Sequence, residues 1–190
     1  MDEQGLLERA RRGDRQAFAE LVRASGARLD ATARLILRDP DLAQDAVQET
    51  LIRAWRGLPG LRDPASFNHW LHSLVVRACI DLIRRRKRRV IEVDVDPIFE
   101  SPTLDDTGRI ADRDQLDRAL ARLEPDARAV VVLHFYLDLP LPQVAAMLGI
   151  PVGTAKSRLH RSLGMLRSSI AIDEVTATTG LASVIGGTVR

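Results

Sequence analysis

The sequence predicts an all-α protein of two small helical domains joined by an acidic flexible linker. Apolar residues recur at intervals of three and four through most of residues 4–90 and again from 111 to about 168, the period of helices with one buried face. Between these blocks, from Ile91 to Gly108, the period is lost, and Pro97, Pro102, Gly108 and six acids appear instead. Near Gly149 a glycine separates two short helical stretches, the pattern of a helix-turn-helix.

A length of 190 residues suits one ordinary domain or two small ones. The 45% hydrophobic content excludes wholesale disorder. A charged content of 28% with mean hydropathy −0.09 excludes an integral membrane protein. No run approaches the ~20 apolar residues a helix needs to cross a bilayer, so no membrane insertion is expected. Met1-Asp2-Glu3 opens on acid rather than on a basic signal-peptide start, and the single Cys79 offers no disulfide framework. A cytoplasmic location is expected.

The net charge of +2 hides a strong pattern: residues 1–90 sum to +6, residues 91–118 to −6, and residues 119–190 to +2. Its sharpest feature is Arg84-Arg85-Arg86-Lys87-Arg88-Arg89, followed at once by Glu92, Asp94 and Asp96. Such a run is commonly a solvated face, and basic runs also bind nucleic acid. The boundaries that follow are 1–90, an acidic linker at 91–112, 113–170, and a tail at 171–190 that reads as poorly ordered.

In the first block, Leu6, Leu7 and Ala10 precede the Gly13-Asp14 break, after which Ala17, Phe18, Leu21 and Val22 resume the helical period. Asp39-Pro40-Asp41 is a turn and N-cap for a helix carrying Leu42, Ala46, Val47, Thr50, Leu51, Ala54 and Trp55 on its apolar side. Asp45, Gln48 and Glu49 share the opposite face, and by spacing alone they are a solvated face. Gly57-Leu58-Pro59-Gly60 breaks that helix. Phe67, Trp70, Leu71, Leu74, Val75, Ala78, Leu82 and Ile83 then form a periodic helix that runs into the basic run and suits phosphate contacts. Phe67 and Trp70 read as core, with stacking on unpaired bases as the other possibility. His69 and His72 have no carboxylate or cysteine cluster to complete a metal site, so neither metal nor cofactor is expected.

In the second block, Glu124-Pro125-Asp126 splits residues 111–137 into two helices, and the second, Ala127 to Leu137, is apolar enough to be buried. A helix beginning at Leu141 and carrying Ala145 and Ala146 meets the Gly149 turn, and the next helix opens with Pro151 near its first turn. Val152, Ala155, Leu159, Leu163 and Leu166 are assigned to its inner face. Lys156, Ser157, His160 and Arg161 share another face, near the half of a recognition helix that enters a major groove, with Thr154 and Arg158 flanking them. The pattern alone fits an ordinary helical hairpin with a basic face equally well.

Together these residues resemble a known family, the bacterial sigma factors of the sigma-70 type in their extracytoplasmic-function (ECF) group. The likeness covers about residues 4–168 and rests on three segments: Asp41 to Thr50, Phe67 through Asp81 into the arginines, and Gly149 to Arg161. It implies sigma region 2 at 1–90, a helix-turn-helix sigma region 4 at 113–170, and a non-enzymatic subunit that directs core RNA polymerase to promoters. The resemblance implies that Asp45, Gln48 and Glu49 dock on the clamp of the largest polymerase subunit, and that region 4 meets the flap of the second. It puts Thr154, Lys156, Ser157, Arg158, His160 and Arg161 on the −35 element, Arg158 on its backbone. Leu61, Phe67, Trp70, Arg77, Arg84 and Arg85 fall to the −10 element, Leu61 in a loop from Gly57 to Ser66 that captures a flipped base. Leu61 stands where an aromatic is common, Arg77 where asparagine is common, and Gln143 where an acid is frequent. The acidic linker is implied to thread a basic polymerase channel. A cytoplasmic, nucleoid-associated protein with promoter DNA and a possible anti-sigma factor as partners is expected. The alternative is a stand-alone helix-turn-helix regulator that needs no polymerase.

Overall fold

The computed structural model describes the backbone of residues 3–61, 63–92 and 110–186, with the side chains of most of these up to residue 170. Most of the expected acidic linker therefore lies outside the described residues, as do Arg62 and residues 187–190. The described chain is helix and turn throughout, without a strand.

Helix α1 (Glu3–Arg11) leads through a tight turn into α2 (Arg15–Leu37). Asp14 caps α2: one carboxylate oxygen accepts from the Gln16 and Ala17 amides, and the other accepts from Arg9 Nη2 at 2.7 Å. The bond from the Ala17 amide, followed by that from Arg9, holds this carboxyl below its usual range. Helix α2 ends at Arg38, whose φ of 58° is left-handed, and the next residue caps the following helix. Asp39 accepts from the Asp41 and Leu42 amides at the start of α3 (Pro40–Gly57), and Pro40 occupies the first helical position, where no amide is needed. Asp39→Ala is expected to cost about 1 kcal/mol through the lost cap. A thermal melt should show this as a fall of about 2–4 °C.

Two 3-10 turns, Leu58–Gly60 and Pro64–Ser66, lead to α4 (Phe67–Glu92), which continues through the whole basic run. Gly57 lets α4 approach: a Cβ there would stand 3.1 Å from Trp70 Cζ2. Helices α2, α3 and α4 enclose the first apolar unit. On its flank, Phe18 and Trp55 meet edge to face at 5.2 Å.

The second unit comprises α5 (Ile110–Ala121), α6 (Pro125–Val131), a π-helical turn (Val132–Tyr136), α7 (Leu141–Leu148) and α8 (Val152–Gly186). Three expectations change here. The stretch from Ala127 to Leu137 is not one buried α-helix. Its last turn widens, with the Leu137 amide bonding Val132 O at 3.2 Å, and Phe135 swings out to 59% exposure. Val152 is 48% exposed rather than inward, because it stands at the very start of α8; Ser162 takes a buried inner-face position by donating its hydroxyl to Arg158 O. The backbone of 171–186, read as a poorly ordered tail, continues α8.

The two units are not held apart. Helix α7 packs on α4, α6 packs on α2, and one apolar cluster runs from Leu7 through Leu29, Ile36 and Val76 to Val130, Leu133 and Val144.

Candidate nucleic-acid interface and acidic groove

The turn between α7 and α8 is closed by glycine chemistry. Gly149 has φ 64° and ψ 40°, a left-handed conformation that β-carbons disfavour. It lets the Ile150 amide reach back to Ala145 O at 3.0 Å, which satisfies a carbonyl at the end of α7. Helix α8 begins three residues after this turn, at Val152. Ala155 and Leu159 are buried against the rest of the unit, while Lys156, Ser157, His160 and Arg161 are exposed together and Thr154 and Arg158 are half-buried beside them. The chain has no Asp or Glu between Asp138 and Asp173. No described carboxylate pairs with Lys156, Arg158 or Arg161. Arg161 Nε makes only a long bond to Ser157 O, 3.4 Å, and so remains available to an outside acceptor.

On α4, Arg77, Arg84, Arg85 and Arg88 are exposed on one long helix, and Arg86 lies 3.4 Å from the Asp39 carboxylate. The structure separates the other residues assigned to the −10 element. Phe67 is 1% exposed and Leu61 8%, both within the apolar core, and Trp70 is half-buried against Phe67 at 6.1 Å. As placed, Phe67 and Leu61 present no face to a base. Their apolar neighbours claim the surface that stacking would require.

Asp45, Gln48 and Glu49 all line one groove of about 340 Å³ between α3 and α4, and all three are exposed. Sequence reasoning missed Arg53 and Asp81 as partners in it. Arg53 bonds Glu49 at 2.7 Å and Asp81 at 3.3 Å, tying the two helices together. The Glu49 carboxylate first, then that of Asp81, hold the Arg53 guanidinium still more firmly protonated against its partial burial. Arg85, assigned to DNA by its place in the basic run, lines the same groove. The spacing signal was available: Glu49 and Arg53 stand four apart, and so do Asp81 and Arg85. Ile52, 46% exposed, adds an apolar side chain to the groove's lining.

A helix-turn-helix with an acid-free exposed face, beside a long arginine-bearing helix, defines the class of DNA-binding transcription proteins. The sigma-70 region 2 family matches residues 21–89, and the sigma-70 region 4 family matches residues 113–166. The chain is 35% identical over 167 residues to the ECF RNA polymerase sigma factor SigM of Mycobacterium tuberculosis, covering 84% of each protein. It is 33% identical over 165 residues to the RNA polymerase sigma-E factor of Streptomyces coelicolor, covering 87% of this chain and 92% of that one. Among solved structures it resembles the sigma factor RpoE of Bartonella quintana, crystallised with the anti-sigma factor NepR. That likeness has a TM-score of 0.66 and 25% identity, over 82% of this chain and 98% of that one. CnrH in complex with the cytosolic domain of CnrY is similar at a TM-score of 0.59 and 27% identity, over 90% of this chain and 98% of that one.

The chain belongs to the sigma-70 family, in its ECF group. Its function is that of an RNA polymerase sigma factor, which replaces the alternative of a stand-alone regulator. Among the described residues no helix is long and apolar enough to cross a membrane.

Proposed function

We propose that this sigma factor divides its work among three surfaces. The α3–α4 groove, through Asp45, Gln48 and Glu49, docks on the clamp of the largest polymerase subunit. Lys156, Ser157, His160 and Arg161 read base edges of the −35 element in the major groove, with Thr154 and Arg158 on its phosphates. Arg77 and Arg84, with the exposed edge of Trp70, engage the −10 element as it opens, while Leu61 and Phe67 support the loop and helix from within. Arg85 belongs at the edge of both the groove and the −10 surface. The boundaries proposed are region 2 at 1–90, a linker at 91–112, region 4 at 113–170, and an extension at 171–190.

The observation that carries this reading is the segregation of charge among the described surfaces. Asp45, Glu49 and Asp81 line the α3–α4 groove together with Arg53 and Arg85, whereas the α8 face presents basic and neutral side chains and no carboxylate. Phosphate contacts favour the second, and a basic protein surface favours the first. Binding and positioning account for the whole role, so the chain needs no catalytic group of its own; the polymerase supplies the chemistry. The protein acts in the cytoplasm on nucleoid DNA, where its polymerase works. Two solved relatives are complexes, one with an anti-sigma factor and the other with the cytosolic domain of CnrY, and these support an anti-sigma factor as a partner of this chain.

Asp45→Ala combined with Glu49→Ala tests the docking surface. Affinity for purified core polymerase is expected to fall about tenfold, equivalent to about 1.4 kcal/mol, with the α-helical content unchanged. An unaltered titration curve would remove the groove from the clamp contact.

A further inference from the structure

Another cavity, of about 460 Å³, lies between α1, α2 and α4, apart from the α3–α4 groove and the α8 face. That volume is within the range of small-molecule sites. Its polar lining is arranged along α2. Ser25 sits in the middle and donates its hydroxyl to Asn68 Oδ1 at 2.8 Å, and Asn68 Nδ2 in turn donates to Glu3 at 3.1 Å. Glu20 lies five residues before Ser25 and Arg28 three after it. Their backbones therefore stand ~12 Å apart along the helix, at ~1.5 Å per residue. Both line the cavity, and no described group pairs with the Glu20 carboxylate or the Arg28 guanidinium.

His72 follows one turn after Asn68 and lines the cavity too. Its Nδ1 lies 2.7 Å from Asn68 O, an acceptor, so Nδ1 carries the proton. In the neutral ring Nε2 then holds only a lone pair. That nitrogen is shielded from solvent and has no hydrogen-bond partner among the described residues. Burial lowers the pKa of this imidazole most; the bond to Asn68 O opposes the shift, and the charges of Arg28 and then His69 reinforce it. The ring is therefore neutral near pH 7, and its lone pair calls for a donor. Native interiors seldom leave such an atom unmatched. Because the ring feels the Arg28 charge, it belongs to the Arg28 end of the cavity.

We propose that this cavity binds a dibasic α-amino acid, of the class of lysine, ornithine and arginine. The ligand carboxylate pairs with Arg28. Its α-ammonium donates to His72 Nε2, with a slight tilt of the ring to meet it, and its distal cation meets Glu20, with Glu3 nearby. The aliphatic chain between lies against Leu6 and Ala24. Three features select this class. The two unpaired charges have opposite signs and stand about two helical turns apart, which suits a long amino acid and not glycine. The neutral Nε2 asks for a donor close to the arginine that holds the carboxylate, and an α-ammonium supplies it. The lining sets two carboxylates against one guanidinium, a surplus of one negative charge that a ligand with one surplus positive charge neutralises. Binding here requires neither polymerase nor DNA. It joins α1 to α2 and α4, so the occupied chain should melt at a higher temperature.

The test is a calorimetric titration of L-lysine into the full chain, with analogues that each lack one group. A single site with a dissociation constant of about 1 mM or less is expected. ε-Aminocaproate lacks the α-ammonium, norleucine lacks the distal cation and cadaverine lacks the carboxylate; each should bind at least about tenfold more weakly. Glu20→Gln should remove the preference for lysine over norleucine, and Arg28→Gln the preference over cadaverine. Glu20 is half-buried and Arg28 exposed, so both variants should keep the wild-type circular dichroism. Nitrogen NMR gives a readout separate from affinity. The His72 Nε2 resonance, assigned by its loss in His72→Gln, should shift as the lone pair gains a donor. The absence of saturable binding by L-lysine and L-arginine up to about 10 mM would overturn the site. So would undiminished lysine binding by either variant, equal binding of any of the three analogues, or a His72 resonance that stays in place at saturation.

Discussion

Phe67→Ala is expected to destabilise the first unit by about 3–5 kcal/mol, the cost of deleting a fully buried aromatic side chain. Phe67 opens α4, is 1% exposed, and packs beside Trp70. A loss of that size is a large share of the ~5–15 kcal/mol that holds an ordinary domain together. Urea unfolding followed by circular dichroism would measure it. Arg77→Ala, on the exposed face of the same helix, should change stability by no more than about 0.5 kcal/mol and yet weaken promoter opening. A stable Phe67→Ala variant defective only in opening would instead make Phe67 a base-stacking residue, as the family resemblance implied.

Lys156→Ala with Arg161→Ala is expected to weaken −35-dependent initiation by about 10²–10⁴-fold. A well-placed base contact contributes about 1–3 kcal/mol to discrimination, and the two side chains stand five apart on one exposed face. The residues are close enough to couple, so the double variant should be compared with both singles. Promoter titrations at fixed salt would separate this effect from phosphate contacts. Arg158→Ala should lower affinity almost equally on all sequences, whereas the double variant should erase the preference for the proper −35 sequence. A double variant that keeps its promoter preference would move base recognition off α8. Core binding should be unchanged in every case, because the docking surface proposed for the polymerase lies on α3 and α4.

Local signals in the sequence located the helices well. Asp14, Asp39, Pro40 and Gly149 mark caps and turns through chemistry confined to a few residues, and each acts as its type suggests. The exposed face of Lys156, Ser157, His160 and Arg161 follows from helical spacing around the buried Ala155 and Leu159. What spacing could not show was anything decided between elements. Phe135 was expected to be buried because its neighbours are apolar, but a π-helical turn rotates it outward. Arg85 looked like one more member of a basic run, whereas the packing of α4 on α3 sets it along the groove that Asp45 and Glu49 also line. Arg128 is the sharpest case. By composition it is an ordinary surface arginine, and only the meeting of α2 with α6 shows that it answers the Ile36 carbonyl, orphaned by Pro40. Contacts between residues 92 positions apart leave no mark on local periodicity.

Run-off transcription with purified core polymerase, with and without the chain, tests the account most directly. Templates should carry a promoter selected from a random library in the −35 and −10 regions. The account predicts transcripts from one defined start only when the chain is present, lost on scrambling either element and lost with Lys156→Ala and Arg161→Ala together. Initiation at the same start without the chain, or tight promoter binding by the chain that never recruits polymerase, would contradict it.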